Sequence, residues 1–94
     1  EGKITVTNPL IIVEVLSKST QNYDRGEKFM LSQRLPSLKE YVVVEQHTPL
    51  VESWYQIEEN TWQKTAAYGV EGRLSLRSLG ITLRLEDVYE HITF

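Results

Sequence analysis

Apolar positions along the chain come in two patterns, solid runs and alternations. The densest run is Leu10 to Leu16, broken only by Glu14. Apolar residues of both parities predict a central strand covered on both sides. Alternation places Leu10, Ile12, Glu14 and Leu16 on one face and Ile11, Val13 and Val15 on the other. A second solid run, Glu40 to Gln46, predicts another buried strand. Between them, Ser17 to Asn22 is rich in Ser, Thr and Asn and suits a strand-to-helix turn. A helix is expected from Tyr23 to Arg34, with Asp24 and Glu27 at capping-box spacing and Leu31 and Leu35 continuing the face of Asp24 and Lys28. Gly26 costs that helix about 1 kcal/mol against Ala. Leu35-Pro36 ends it, because a residue before proline avoids the helical region. Strand, helix and strand make a β-α-β unit, for which a right-handed parallel crossover is the default.

Beyond residue 47 the pattern alternates. His47-Thr48-Pro49 turns the chain. Leu50 to Ile57 and Thr61 to Tyr68, joined by Glu58-Glu59-Asn60, predict an antiparallel hairpin whose aromatics (Trp54, Tyr55, Trp62, Tyr68) cover one sheet face. Arg73 to Leu76 suits a short strand, Leu79 to Leu83 a turn and an extended piece, and Leu85 to His91 a terminal helix of about two turns. Ile4 to Thr7 suits a short β segment before the Asn8-Pro9 turn.

Composition narrows the class. The chain has 94 residues, 40% of them hydrophobic and 24% charged, and amounts to one domain or part of one. A chain of this size buries only about 60–65% of its unfolded surface. It has no cysteine, so no disulfide framework and no Cys-based zinc site; a cytoplasmic location is expected. No apolar run approaches the roughly 20 residues that span a bilayer. The net charge of −3 and the dispersed Lys and Arg provide no basic patch for clamping nucleic acid. The chain opens on Glu1 rather than Met, which leads us to expect a piece cut from something longer.

Candidate chemistry is sparse. The chain holds no dinucleotide-binding glycine motif, no P-loop, no H-E-x-x-H and no G-x-S-x-G. His47 and His91 fall in a turn and a terminal helix and suit surface positions. Ser17 and Ser19 suit turn and cap roles. The hairpin aromatics could stack bases, but Glu52, Glu58 and Glu59 make that hairpin acidic and favour packing on the sheet. Glu14, Asp24 and Lys28 remain. A carboxylate sharing a face with core residues needs a partner, a metal or a proton. Spacing leaves two readings open: a Glu14–Lys28 ion pair with Asp24 as a cap, or a site in which Glu14 binds a hard divalent cation and Lys28 serves the attacking water or the phosphate.

The run Pro9-Leu10-Ile11-Ile12-Val13-Glu14-Val15-Leu16-Ser17-Lys18-Ser19-Thr20, with Asp24, Lys28 and Leu38-Lys39-Glu40-Tyr41, resembles the Uma2 (DUF820) family of endonucleases in the PD-(D/E)xK restriction-endonuclease-like superfamily. The resemblance spans nearly the whole chain, to Leu79-Gly80, the final acidic helix and Phe94. It implies an α/β fold, a mixed β-sheet flanked by helices, with a metal site at the sheet edge. It also implies an Mg²⁺-dependent (or Mn²⁺-dependent) phosphodiesterase acting on DNA. By resemblance Glu14 is the second metal-binding acid, Val15 lends its backbone carbonyl, Lys28 is the catalytic lysine, and Asp24 orients it or reaches a second metal through water. Two departures stand out. Leu16 occupies the place usual for the motif lysine, with Lys18 a weaker substitute than Lys28. No aspartate precedes Asp24, so the first catalytic Asp of the superfamily, within its Pro-Asp motif, is absent. Residues 1–94 therefore read as the C-terminal part of an Uma2-like domain, inactive alone, exposing sheet surface that favours a homodimer. The alternative is a non-catalytic interaction module that keeps the nuclease-like fold and dimerises through the hairpin.

Overall fold

The computed structural model describes residues 9–16 and 28–90. Four strands form one mixed sheet in spatial order β1-β2-β3-β4: β1 (Ile11–Leu16), β2 (Glu40–Glu45), β3 (Leu50–Glu58) and β4 (Thr61–Tyr68). β1 and β2 pair in parallel, with Glu14 opposite Val43 and Leu16 opposite Glu45, as the β-α-β pattern predicts. β2–β3 and β3–β4 are antiparallel. The connection between β1 and β2 is helical over residues 28–32 (α1), and its first part lies outside the described residues. Ser37 Oγ closes the crossover by donating to the Pro9 carbonyl at 2.8 Å, and the Lys39 amide donates to the Leu10 carbonyl at 2.8 Å.

β5 (Arg73–Leu76) and β6 (Ile81–Arg84) form a separate two-stranded antiparallel sheet, leading into the single turn α2 (Leu85–Val88). Gly80 sits at φ +67° in the connection, where the absence of a Cβ removes the left-handed penalty. The β3–β4 turn uses Asn60 at φ +66°, a residue type that tolerates this region, and the register shifts between Gln56 and Glu58.

The sheet separates two apolar clusters because side chains alternate across it. On one face, Val42, Val44, Val51 and Ala67 pack against Leu74, Leu76, Leu85 and Tyr89 from the β5–β6–α2 layer. On the other, Leu16, Leu38, Tyr41 and Val43 pack with Ile12, Phe29, Leu35, Trp54 and Trp62. Phe29 holds α1 to the sheet, with ring centroids 5.1 Å from Tyr41, 5.1 Å from Trp54 and 5.5 Å from Trp62.

Several expectations need correcting. Among the described residues the protein is mainly β, with two short helices, so the flanking helical layer of an α/β fold is small. Among the described residues, the strand buried along its whole length is β2, and β1 is the last strand of the sheet, with Val13 55% and Val15 52% exposed. Of the expected face, Lys28 reaches Glu14 and Leu35 packs against the sheet, but Leu31 is exposed and Phe29 takes the core position. Of the hairpin aromatics, Trp54 and Trp62 face α1, Tyr55 lies on the other face with the Arg77 guanidinium 4.4 Å from its ring, and Tyr68, of the same parity as Trp62, is exposed at the far end of β4. The terminal helix is one turn, Leu85–Val88, and residues 91–94 lie outside the described part. The expected β segment at Ile4–Thr7 lies outside it as well. No helix among the described residues is long and apolar enough to cross a membrane.

Candidate active site

Glu14 reaches its position through strand geometry. It projects from the face of β1 that carries Ile12 and Leu16, so its carboxylate emerges on the side covered by α1. Lys28 stands one residue before Phe29, whose docking onto Tyr41, Trp54 and Trp62 fixes this end of the helix. The outcome is an ion pair, Lys28 Nζ donating to Glu14 Oε2 at 2.9 Å. The side chains are 45% and 23% exposed, respectively, so water reaches both. An accessible pair of this kind contributes on the order of 0.2–1 kcal/mol, too little to account for the fold.

Three of the four residues singled out from the sequence are in view. Glu14 and Lys28 are brought together. Val15 follows Glu14 with its side chain on the opposite, exposed face. Asp24 lies outside the described residues, as does Lys18.

The register adds acids that the linear pattern did not connect. Glu14 pairs with Val43, and Val43 pairs with Glu52, so Glu14 and Glu52 stand in one row on one face, two strands apart. At about 4.8 Å per strand, this separates their backbones by roughly 10 Å. Glu52 is ion-paired with Lys64 at 3.0 Å, and Lys64 Nζ lies 5.4 Å from the Trp54 ring centre. Glu45, opposite Leu16, belongs to the same face. Among the described residues, no group of three or more His, Asp or Glu converges as a metal site. Strand parity was the available signal for this row, once the pairing register was known.

Glu40, completely buried, is the other acid missed from sequence. One oxygen accepts from Ser53 Oγ at 2.6 Å, and the other from the Ser78 amide at 2.9 Å and its hydroxyl at 2.7 Å. These bonds join β2, β3 and the β5–β6 turn. With its acceptors engaged and no access to solvent, Glu40 is a structural carboxylate.

The Uma2 family profile, described as "Putative restriction endonuclease", matches residues 2–86. The chain belongs to the Uma2 family. Two curated relatives come from Synechocystis sp. The uncharacterized protein slr1290 is 33% identical over 89 residues, 95% of this chain and 46% of that protein. The uncharacterized protein sll1609 is 30% identical over 80 residues, 85% of this chain and 45% of that protein. The chain thus spans about half the length of the curated relatives it matches. The β1 strand with Glu14 and the Lys28 helix fall within the family match.

Proposed function

We propose that this chain is the C-terminal part of a restriction-endonuclease-like Uma2 domain that hydrolyses DNA phosphodiesters with a divalent cation, Mg²⁺ or Mn²⁺. The observation that carries this reading is the Glu14–Lys28 pair, 2.9 Å apart at the outer strand of the sheet, in a chain matched by an endonuclease family over residues 2–86. A partly exposed carboxylate supplies a hard oxygen donor. Mg²⁺ takes one or two protein carboxylates and keeps several waters, so Glu14 with the Val15 carbonyl fits the lower bound of its needs. When bound, such a cation supplies Lewis-acid activation of water and neutralisation of phosphate charge.

This chain's own residues divide the remaining work. Glu14 holds the cation and, in its absence, the Lys28 ammonium. Lys28 orients the attacking water or neutralises charge developing on a phosphate oxygen. Asp24, outside the described residues, is assigned by the family resemblance alone to orienting Lys28 or to reaching a second metal through water. The superfamily's other acid is assigned to the part of the Uma2 domain outside this chain, so the 94-residue chain by itself is inactive. Plasmid nicking by the whole protein with Mg²⁺ or Mn²⁺ tests the assignment. Glu14→Gln is expected to lower the rate by on the order of 10²-fold or more, and an unchanged rate sinks the role given to Glu14.

The exposure of Val13 and Val15 favours a second reading, a non-catalytic module that keeps the fold for binding another protein. Calorimetry with millimolar Mg²⁺ or Mn²⁺ separates the two: heat of binding supports the nuclease, and its absence in the whole protein supports the module.

A further inference from the structure

Strand register brings a second carboxylate–lysine pair onto the face of the sheet that carries Glu14 and Lys28. Glu14, Val43, Glu52 and Ala66 form one row across the four strands. Lys64, two residues before Ala66 on β4, shares the parity of Trp62 and so belongs to this face. It stands opposite Trp54 but leans along the strand to Glu52, Nζ to Oε2 at 3.0 Å, and its ammonium lies 5.4 Å from the Trp54 ring centre. A loose surface pair would have two exposed partners. Here the Glu52 side chain is only 8% exposed, whereas that of Lys64 is 52% exposed. The Trp54 indole is itself held, 5.1 Å from Phe29, the residue that follows Lys28. One aromatic cluster therefore sets the positions of both lysines.

We propose that Lys64 is a phosphate-positioning residue of this face, taking the backbone of a DNA strand whose scissile phosphate lies at the Glu14–Lys28 pair. The proposal rests on the nuclease reading of that pair. Ordering a lysine side chain has an entropic cost, and Glu52 with Trp54 has already restricted this one before any ligand arrives. An ammonium has three N–H donors. Contact with one carboxylate oxygen leaves donors turned to water, where a phosphate oxygen can take their place. The spacing suits a single strand of DNA: the Glu14 and Glu52 backbones are roughly 10 Å apart, the axial rise of about three nucleotides. With a net charge of −3, the chain exerts no broad attraction on nucleic acid. Attachment then falls to individually held cations, and Lys64 is one of these.

Binding of a labelled DNA duplex by the whole protein, followed by fluorescence anisotropy across a salt series, tests this. Divalent cation is left out so that no cleavage intervenes. Lys64→Gln is expected to weaken binding roughly 5–10-fold at about 0.1 M salt and to reduce the slope of log Kd against log salt by about one. Lys64→Arg keeps the charge and is expected to keep the wild-type slope. Lys39→Gln, at an exposed lysine outside the row, is expected to keep it as well. Lys64 is half exposed, so its variants keep the fold, which circular dichroism checks. An unchanged slope in Lys64→Gln, or an equal fall in Lys39→Gln, overturns the proposal and leaves the Glu52–Lys64 pair a structural contact. Plasmid nicking that depends on Glu14, with an unchanged slope in Lys64→Gln, sinks this proposal alone. A slope reduced by one in a protein that nicks nothing with Mg²⁺ or Mn²⁺ sinks the hydrolysis alone. No measurable duplex binding sinks both.

Discussion

A single hydroxyl, on Tyr89, ties α2 to two strands of the main sheet. Its oxygen lies 2.6 Å from the Glu45 carbonyl and 3.0 Å from the Leu50 carbonyl, and accepts from the Leu50 amide at 3.2 Å. These main-chain groups flank the β2–β3 connection, and the Leu50 amide also donates to the Thr48 carbonyl at 2.8 Å. Tyr89→Phe is expected to cost about 0.5–1.5 kcal/mol in urea unfolding, chiefly through the buried hydrogen bond to the Glu45 carbonyl. Burial also pushes the phenol above its ordinary value of 10.0, outweighing the opposing hydrogen bond with Leu50. A raised folded-state pKa gives stability that is complete below the unfolded pKa and lost as pH rises through the folded one. Wild type should therefore lose stability above about pH 10, and part of that loss should be missing in Tyr89→Phe. Urea midpoints at pH 8 and pH 11 check this. Glu14 and Lys28 were legible at this scale because both residue types stood out against an apolar strand and its following helix. Glu40 was not, because nothing local to Glu40-Tyr41 announces that Ser53 and Ser78 will fold onto it.

At the scale of elements, α1 is held by an aromatic cluster and not by a leucine stripe. Phe29 touches three rings, whereas Leu31 is 57% exposed. Phe29→Ala should cost about 2–4 kcal/mol and shift the emission of Trp54 and Trp62 to the red, since both indoles lose their cover. Leu31→Ala should stay within about 0.5 kcal/mol of wild type. Thermal unfolding followed by tryptophan fluorescence separates the two. Phe29→Ala also releases the helix end that carries Lys28, which couples the aromatic cluster to the candidate site. Strand positions and the β3–β4 hairpin followed from period-two patterning and turn residues. The choice of Phe29 over Leu31 as the docking residue did not, because a short helix with Phe29, Met30 and Leu31 in succession offers more than one apolar face.

For the whole molecule, the β5–β6–α2 layer completes one of the two cores. Leu85 is fully buried against sheet residues Val42, Val44 and Val51 and the layer's own Leu74 and Leu76. Leu85→Ala should cost about 2–5 kcal/mol and lower the melting temperature by roughly 10 °C or more. Differential scanning calorimetry tests whether the small layer and the main sheet unfold together. A separate, earlier transition would mean that α2 stabilises only its own hairpin.

The amino-acid pattern determined where the strands lie, the parallel pairing of β1 with β2, the hairpin that follows, and the face of β1 on which Glu14 projects. Each depends on alternation and turn chemistry, which act over a few residues. The tertiary structure decided which strand is central, which aromatics meet, how β5 and β6 pair, and that Glu14 and Glu52 share a row while Glu40 joins two layers. These depend on register between distant segments, and a one-residue change of register would send each side chain to the other face. Among the described residues it also placed the densest apolar run last in the sheet, where the two valines and the carboxylate face different neighbours.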